Sequence, residues 1–200
     1  MTEPDDHTLL DRWRGGDGDA GQELFGRHFD RIYRFFETKL SSEADELTQA
    51  TFLACVRARD QFRGESSFRT YLFTIARNEL YRFFRERAKH GVQIDVEMSS
   101  IANLATTPRT KIARTEDQRA LLAALQQLPI AQQTLVELHY WEDMGPTELA
   151  AVFECPEVTI RTRLHRARVA LRDEMERYAA GKIANLDVMD RWARETGYST

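Results

Sequence analysis

A short break at residues 154–156 limits the folds open to this chain, because it divides residues 147–168 into two helical patterns. Pro156 suits the first turn of a following helix, since its φ is already helical and its missing N–H would have no partner there. Three apolar residues of the second pattern recur at helical spacing and are expected to face a core: Ile160, Leu164 and Ala167. Two helices joined by a tight turn are typical of a helix-turn-helix, although Glu154 stands where glycine is common.

The second of these helices is rich in arginine on or beside its exposed face. Arginine neutralises phosphates and pairs with guanine edges, so a basic helix in this position favours entry into the major groove of DNA. The alternative is an ordinary helix hairpin with a solvated basic face. Turn, spacing and charge coincide here, which favours DNA. The residues predicted to contact duplex DNA are Thr159, Arg161, Thr162, Arg163, His165, Arg166 and Arg168.

Composition favours an all-α fold, because leucine, alanine, arginine and glutamate are plentiful and β-branched runs are scarce. No apolar stretch approaches the length of a membrane span, and the acidic start is unlike a secretory signal. Cys55 and Cys155 are far apart, so we expect free thiols, a cytoplasmic location and no membrane insertion. No Cys/His cluster has zinc-ligand spacing, so neither a metal nor a cofactor is expected.

Charge is distributed unevenly along a chain whose net charge is −4. The stretch up to Glu46 is acidic, whereas residues 57–89 hold nine basic and four acidic residues. The arginine-rich helix is the second basic block. Two basic zones on an acidic chain suggest two contacts with DNA and acidic surfaces for a protein partner.

Helical periodicity falls into two blocks. In the first, Gly/Asp residues at 15–18 and a loop at 62–67 separate helices, and Ser41 and Ser42 are expected to cap a third helix. Periodicity is lost after residue 89 and returns near residue 115. We therefore predict two small helical domains, at residues 8–89 and 115–178. A flexible linker, residues 90–114, joins them, and residues 179–200 form an extension of unknown role.

The helix expected from Ser67 to about Ala88 has two distinct faces. One is apolar and is expected to face the core: Leu72, Ile75, Ala76, Leu80 and Phe83. The other interleaves rings with arginine and asparagine: Phe73, Arg77, Asn78, Tyr81, Phe84 and Arg85. Rings stack on unpaired bases while guanidinium groups hold the backbone, so this face suits single-stranded DNA. Burial of the same rings in a helical bundle is an equal alternative.

Several segments in series resemble the group IV (extracytoplasmic-function) sigma factors of bacterial RNA polymerase. Residues 62–78 resemble the region 2 signature of that family, and residues 43–49 resemble the acidic segment before it. Residues 125–129 and 163–168 resemble region 4. The resemblance extends over about residues 8–178. Its departures are modest: Tyr71 stands where tryptophan is usual, and residues 145–147 and 154–155 are less usual around the helix-turn-helix.

The resemblance implies a region 2 bundle and a region 4 helix-turn-helix that direct transcription initiation at a promoter. The acidic helix would dock on the clamp helices of the polymerase β′ subunit through Glu43, Asp45, Glu46 and Gln49. The loop and the long helix would recognise the −10 element and capture a flipped base through Phe62, Ser66, Tyr71, Arg77, Asn78, Tyr81 and Arg85. The helix-turn-helix would read the −35 element and touch the β flap.

Two other classes of protein share features with this sequence. A helix-turn-helix regulator that binds duplex operator DNA without core polymerase is the leading alternative. A small enzyme using carboxylates and His28, His90 or His139 is disfavoured, because no nucleophile elbow, phosphate loop or metal pair is present, and no catalytic residue is predicted. Regulation stays open between an anti-sigma factor, phosphorylation and residues 181–200, whose apolar residues suggest that they fold back on one of the domains.

Overall fold

The computed structural model describes residues 3–89, 94–104, 115–178 and 191. These residues form eight α helices and no β strand, which confirms the predicted all-α class. The helices are α1 (Asp6–Arg14), α2 (Gly18–Glu37), α3 (Ala44–Ala58), α4 (Phe68–Lys89), α5 (Glu116–Gln127), α6 (Ile130–Tyr140), α7 (Pro146–Phe153) and α8 (Glu157–Tyr178). Within the described ranges, every helix is too short or too polar to cross a membrane.

Helices α1 to α4 form the first module. Asp5 and Asp17 cap α1 and α2, with their carboxylates accepting from backbone amides three residues on. Gly21 lets α1 and α2 approach closely, because a Cβ at this position would lie 2.6 Å from the Trp13 side chain. The centre of the module is a set of fully buried side chains: Leu24, Ile32, Phe36, Leu72 and Leu80.

The start of α3 differs from the sequence prediction, whereas the start of α4 agrees with it. Ser41 and Ser42 do not cap α3, because a turn joins the Glu43 amide to the Leu40 carbonyl and moves the helix start to Ala44. The Ser42 hydroxyl donates to the Glu43 carboxylate instead. Ser67 does cap α4, since its hydroxyl accepts from the Thr70 amide at 3.1 Å.

Helices α5 to α8 form the second module. Thr115 starts α5 with a capping box, and Pro146 occupies the first turn of α7. Glu154 ends α7 in the left-handed conformation at φ 52°, so it takes the place in the turn where glycine was expected. Pro156 lies just before α8 and accepts amide hydrogen bonds from the first turn. The prediction for the core of α8 is confirmed, because these residues are buried: Ile160, Leu164 and Ala167.

Part of the predicted flexible linker is packed. Within residues 94–104, Ile101 is fully buried against the second module. The carbonyls of Ser99 and Val96 accept from the amides of Ile130 and Ala131, which begin α6 and have no partner within the helix. An apolar anchor and hydrogen bonds to helix amides thus hold this segment against the second module, and the flexibility of the linker stays a prediction. The rest of the linker and the proposed fold-back of residues 181–200 lie outside the described residues, apart from Arg191.

The two modules lie against each other, with α4 beside α7. Phe35 and Phe73 of the first module line the same cleft as Leu138 and Trp141 of the second, and all four are buried. At the end of α2, the buried Lys39 ammonium forms an ion pair with Glu137 of α6. The packing of the modules therefore decides which polar side chains stay accessible.

Candidate nucleic-acid interface

The exposed face of α8 carries most of the residues predicted to contact duplex DNA. Four are exposed: Arg161, Thr162, His165 and Arg166. Thr159 is half-buried at the start of the helix. Arg161 donates to Glu157 one turn earlier, at 3.0 Å from Nε to Oε1. Ion pairs at such exposed positions are weak, so a DNA phosphate can replace the Glu157 carboxylate.

Arg163 and Arg168 are placed differently from the other arginines of α8. Arg163 is half-buried, and its guanidinium lies 3.9 Å from the Glu97 carboxylate. Arg168 donates to the hydroxyl of Tyr140 at 2.8 Å and stacks over the ring of that residue. It also contacts His139 Nε2 at 2.9 Å. Arg168 therefore ties α8 to α6, and its predicted contact with DNA stays a prediction.

Val158 is a residue of this surface that the sequence reasoning missed. It is the most exposed large apolar side chain of α8 and lies in the first turn, beside the exposed arginines. Residues at the N-terminal end of a recognition helix reach base edges, and an apolar side chain there can contact a thymine methyl group. The available signal was that Val158 falls outside the register of Ile160 and Leu164.

Aromatic rings pack together at the loop before α4. Phe62 is buried, with its centroid 4.6 Å from the ring of Tyr71. The Tyr71 hydroxyl donates to the Ala58 carbonyl at 3.1 Å, and Arg14 donates to the carbonyl of Phe62. Ser66 is half-buried in the same loop. The structure thus brings Phe62 and Tyr71 together, with Tyr71 as the more accessible ring.

The polar face of α4 is centred on Arg77. The Arg77 guanidinium donates to Asn78 Oδ1 at 2.7 Å and lies 5.4 Å from the centre of the Tyr81 ring. Asn78 and Arg85 are exposed. Burial raises the pKa of Tyr81 to about 12, and its hydroxyl has no hydrogen-bond partner among the described residues. Three of the predicted −10 residues of α4 therefore form one cluster: Arg77, Asn78 and Tyr81.

Two rings predicted on this polar face are elsewhere. Phe73 and Phe84 are almost fully buried, so neither is available to stack on a base. Ile75 and Phe83, which were assigned to the core, are only half-buried. The physical reason is that α4 packs on more than one side, against its own module and against α7. A single apolar stripe is therefore a poor guide to its buried side chains.

An acidic surface is displayed at the start of α3. Asp45, Glu46 and Gln49 are exposed, and Glu43 is half-buried. Three large apolar side chains are also exposed on α2 and α3: Phe29, Leu53 and Val56. Sequence reasoning missed this apolar part, because Phe29 fits the inward stripe of α2. A mixed apolar and acidic surface of this kind is suited to a protein partner.

The second module places four acidic residues, none of them predicted from sequence, against basic residues of the first. They are Glu137, Glu142, Glu148 and Glu154. The Glu142 carboxylate lies 3.2 Å from Arg31, yet burial outweighs the nearby arginines and raises its pKa to about 7. The only sequence feature that pointed to these residues was the density of acidic residues around 137–157, which by itself indicates a solvated surface.

Comparison with known proteins places both modules in one family of models. The model described as Sigma-70 region 2 matches residues 24–90, and the model described as Sigma-70, region 4 matches residues 118–171. Together these matches cover more than half of the chain. They include most of α2 and all of α3 and α4 in the first module, and the helix-turn-helix in the second.

Curated relatives are similar over most of their length. The RNA polymerase sigma-H factor of Pseudomonas aeruginosa is 28% identical over 183 residues, covering 86% of this chain and 94% of the relative. The ECF RNA polymerase sigma-E factor of Haemophilus influenzae is 24% identical over 180 residues, covering 86% and 95%.

Solved structures resemble the described fold. The sigma factor RpoE of Bartonella quintana, in complex with the anti-sigma factor NepR, has a TM-score of 0.61 at 25% identity. The match covers 78% of this chain and 96% of that one. CnrH in complex with the cytosolic domain of CnrY has a TM-score of 0.59 at 23% identity. The match covers 83% of this chain and 94% of CnrH, and it supports a shared fold only.

Proposed function

Since the chain belongs to the sigma-70 family of RNA polymerase sigma factors, we propose that it joins bacterial core RNA polymerase and reads two elements of a promoter. One observation carries this proposal: the two family matches fall on the two modules that bear the basic helices α4 and α8. The matches do not favour the alternative of a regulator that binds operator DNA without polymerase.

We assign the −35 element to α8. Arg161 and Arg166 are exposed on one helix, where they can neutralise phosphates or pair with guanine edges. Thr162 and His165 add hydrogen-bonding groups between them. The N-terminal turn of the helix, with Val158, would lie deepest in the major groove, as the recognition helix does in other helix-turn-helix proteins.

We assign the −10 element to α4 and the loop before it. Tyr71 offers a ring, Ser66 offers a hydroxyl, and the cluster of Arg77, Asn78 and Tyr81 offers donors beside a second ring. Extrusion of a base costs a few kcal/mol, which stacking and contacts to the base edge offset. Preferential binding of the extruded, single-stranded form then drives strand separation, without covalent chemistry.

We assign polymerase docking to the surface at the start of α3. Asp45, Glu46 and Gln49 would meet the β′ clamp helices, with the apolar Leu53 beside them. The similar sigma factor of Bartonella quintana is bound to an anti-sigma factor, which supports a protein of that kind as a further partner of this chain. Binding to polymerase puts both DNA-binding helices on one promoter, so each raises the effective concentration of the other. Transcription initiation by this chain and the polymerase takes place in the cytoplasm, where the polymerase acts.

Run-off transcription with core RNA polymerase and genomic DNA fragments tests the proposal. We expect discrete transcripts only when both the chain and the core enzyme are present, because neither alone combines promoter reading with synthesis. Tight, sequence-specific binding to duplex DNA without core polymerase, together with no transcripts, would favour the operator-binding regulator instead.

A further inference from the structure

Helix α1 lies before the residues matched by the region 2 model, which begin at position 24. Its last residue, Arg14, nevertheless contacts the chain that leads into the loop before α4. We infer that Arg14 is a positioning residue for this loop, residues 62–67, and fixes it in the shape that receives an extruded base. The inference rests on the proposed −10 function of the loop and goes beyond it by adding α1 to the machinery for strand opening.

The Arg14 guanidinium holds two backbone carbonyls at once. Its Nε and Nη2 lie 3.2 and 2.9 Å from the carbonyl oxygen of Arg59, and Nη2 also donates to the carbonyl of Phe62. These carbonyls are 45 and 48 positions away in sequence. A rigid, planar group with several donors thus clamps the chain on both sides of the turn that leads from α3 into the loop.

The clamped carbonyls lie where α3 ends. The carbonyls of the last turn of a helix lack the amides of a following turn, and arginine side chains can bind them instead. Helix α3 ends at Ala58 and is followed by a single turn of 3-10 helix, Arg59–Gln61. The Tyr71 hydroxyl of α4 donates to the Ala58 carbonyl at 3.1 Å. Side chains from α1 and α4 therefore hold this end of α3 from two directions.

The contact between α1 and this turn is reciprocal. The Arg59 guanidinium lies 5.0 Å from the centre of the Trp13 ring, and its Nη1 donates to the Trp13 carbonyl at 3.5 Å. The Arg14 guanidinium lies 6.0 Å from the centre of the Phe62 ring. Two neighbouring residues of α1 thus exchange contacts with the turn, so α1 fixes the position of the turn as well as its hydrogen bonds.

This anchored turn positions the rings that a base would meet. Phe62 is buried against Tyr71, with 4.6 Å between the ring centroids. Beyond Phe62 the loop is exposed from Arg63 to Glu65, and Gly64 has a φ of 74°, which side chains rarely adopt. The shape of the exposed tip therefore depends on its anchored base. A site that already has its bound shape loses less conformational entropy on binding, so it binds more tightly.

The test compares two variants of the full chain that remove the same charge from the same helix. Arg14→Met removes the guanidinium and keeps an unbranched apolar stem. Arg12→Met is the matched control, because Arg12 is exposed and pairs with Asp17 between α1 and α2. Arg14→Lys is the conservative variant: it keeps the charge and a donor but lacks the planar fork that reaches both carbonyls.

Each protein is assembled with core polymerase on a promoter fragment recovered by run-off transcription. Binding of the closed duplex is measured by band shift at low temperature, and opening by the reactivity of unpaired −10 thymines towards permanganate. We expect Arg14→Met to lower the equilibrium constant for opening about tenfold relative to Arg12→Met, since hydrogen bonds from a charged donor are lost. Closed binding should be equal for the two variants, and Arg14→Lys should restore part of the opening.

The split between closed binding and opening separates positioning from a general loss of folded protein. Equal opening by Arg14→Met and Arg12→Met would overturn the inference. If Arg14→Met lowered the melting temperature and both DNA measurements, Arg14→Lys would decide. Full recovery of closed binding with partial recovery of opening supports positioning, and equal recovery of both overturns it. A wild-type holoenzyme that opens no promoter would overturn the proposed function itself, which is a different result from any of these.

Discussion

Helices α4 and α8 are alike in sequence character and unlike in accessibility. Each has 22 residues, and each carries arginines on the side away from its own core. On α8, Arg161 and Arg166 are exposed to water, whereas Arg77 on α4 is almost fully buried. The difference comes from their neighbours, since α7 lays acidic side chains along α4 and leaves the outer face of α8 uncovered.

This comparison shows that an arginine-rich helix is not always accessible to a ligand. Helix α8 presents its arginines to a duplex as the structure stands. Helix α4 also carries arginines, but Glu148 and Glu154 already pair with two of them, Arg69 and Arg77. The arginines of α8 are therefore open to a ligand in this arrangement, whereas Arg77 of α4 is already paired with Glu154.

The largest effect should come from the buried ion pair that helps keep α4 covered. Glu137→Gln leaves the Lys39 ammonium inside the interface between the modules without its carboxylate, and such a break costs about 3–5 kcal/mol. We expect the modules to separate, with a larger radius of gyration and faster hydrogen exchange at the interface.

A matched control for this change replaces both partners. Lys39→Met with Glu137→Leu removes the two charges together, so no buried charge is left unpaired and the modules should stay packed together. If Glu137→Gln were as compact as this control, the ion pair would not be holding the modules together.

The next effect concerns pH and the Glu142 carboxyl. Burial raises its pKa from 4.5 to about 7 in the folded protein, while Arg31, Arg34 and Arg69 face it and oppose the shift. The folded protein therefore binds this proton more tightly than the unfolded chain does. The stability that the protonated Glu142 contributes is fully present below pH 4.5 and is lost as pH rises through about 7.

The loss of stability between pH 5 and pH 8 is on the order of 2–3 kcal/mol. It is measured as the difference in free energy of unfolding between the wild type and Glu142→Gln from pH 5 to pH 8, which cancels other titrating groups. We expect the wild type to lose stability relative to the variant as pH rises. A pH-independent difference would show that Glu142 titrates normally.

The third prediction tests α8 directly. Replacing Arg161 and Arg166 by alanine should weaken duplex binding by about 1–2 kcal/mol and reduce the dependence of log Kd on log salt by about two. The physical reason is that two exposed cations no longer displace counterions from DNA. Binding is measured against salt concentration with a −35 duplex from a promoter recovered by transcription.

Arg163 and Arg168 sharpen this test within the same helix. Arg168→Ala should lower the melting temperature more than the salt slope, because Arg168 is bound to Tyr140 and His139. Arg163→Ala should reduce the slope less than Arg166→Ala, since Glu97 already faces Arg163. A salt slope unchanged by Arg166→Ala would count against its contact with a phosphate.

The smallest effect is expected for Glu154→Gln alone. The Glu154 side chain is 65% exposed, so the loss of its ion pair with Arg77 should cost the packing of the modules at most about 1 kcal/mol. Thermal unfolding should then show only a small fall in the melting temperature. A larger fall would show that this pair dominates the interface between the modules.

The sequence predicted the elements better than their surroundings. The start of α4 at Ser67, the tight turn at Glu154 and the buried register of Ile160 and Leu164 all follow from interactions within a few residues, which spacing and residue type encode. Ser42 failed as a cap, and Phe73 and Phe84 failed as exposed rings. In each case, a turn or a second packing partner that periodicity does not encode changed the outcome.

The sequence by itself determined an all-α chain with two basic helices, one of them in a helix-turn-helix, because helical periodicity, capping and charge are local properties. Only the tertiary structure decided that Arg166 is accessible and that Arg77 is covered. The pairing of Arg77 with Glu154 joins residues far apart in the chain, so it depends on how α4 and α7 pack, and no local pattern specifies that contact.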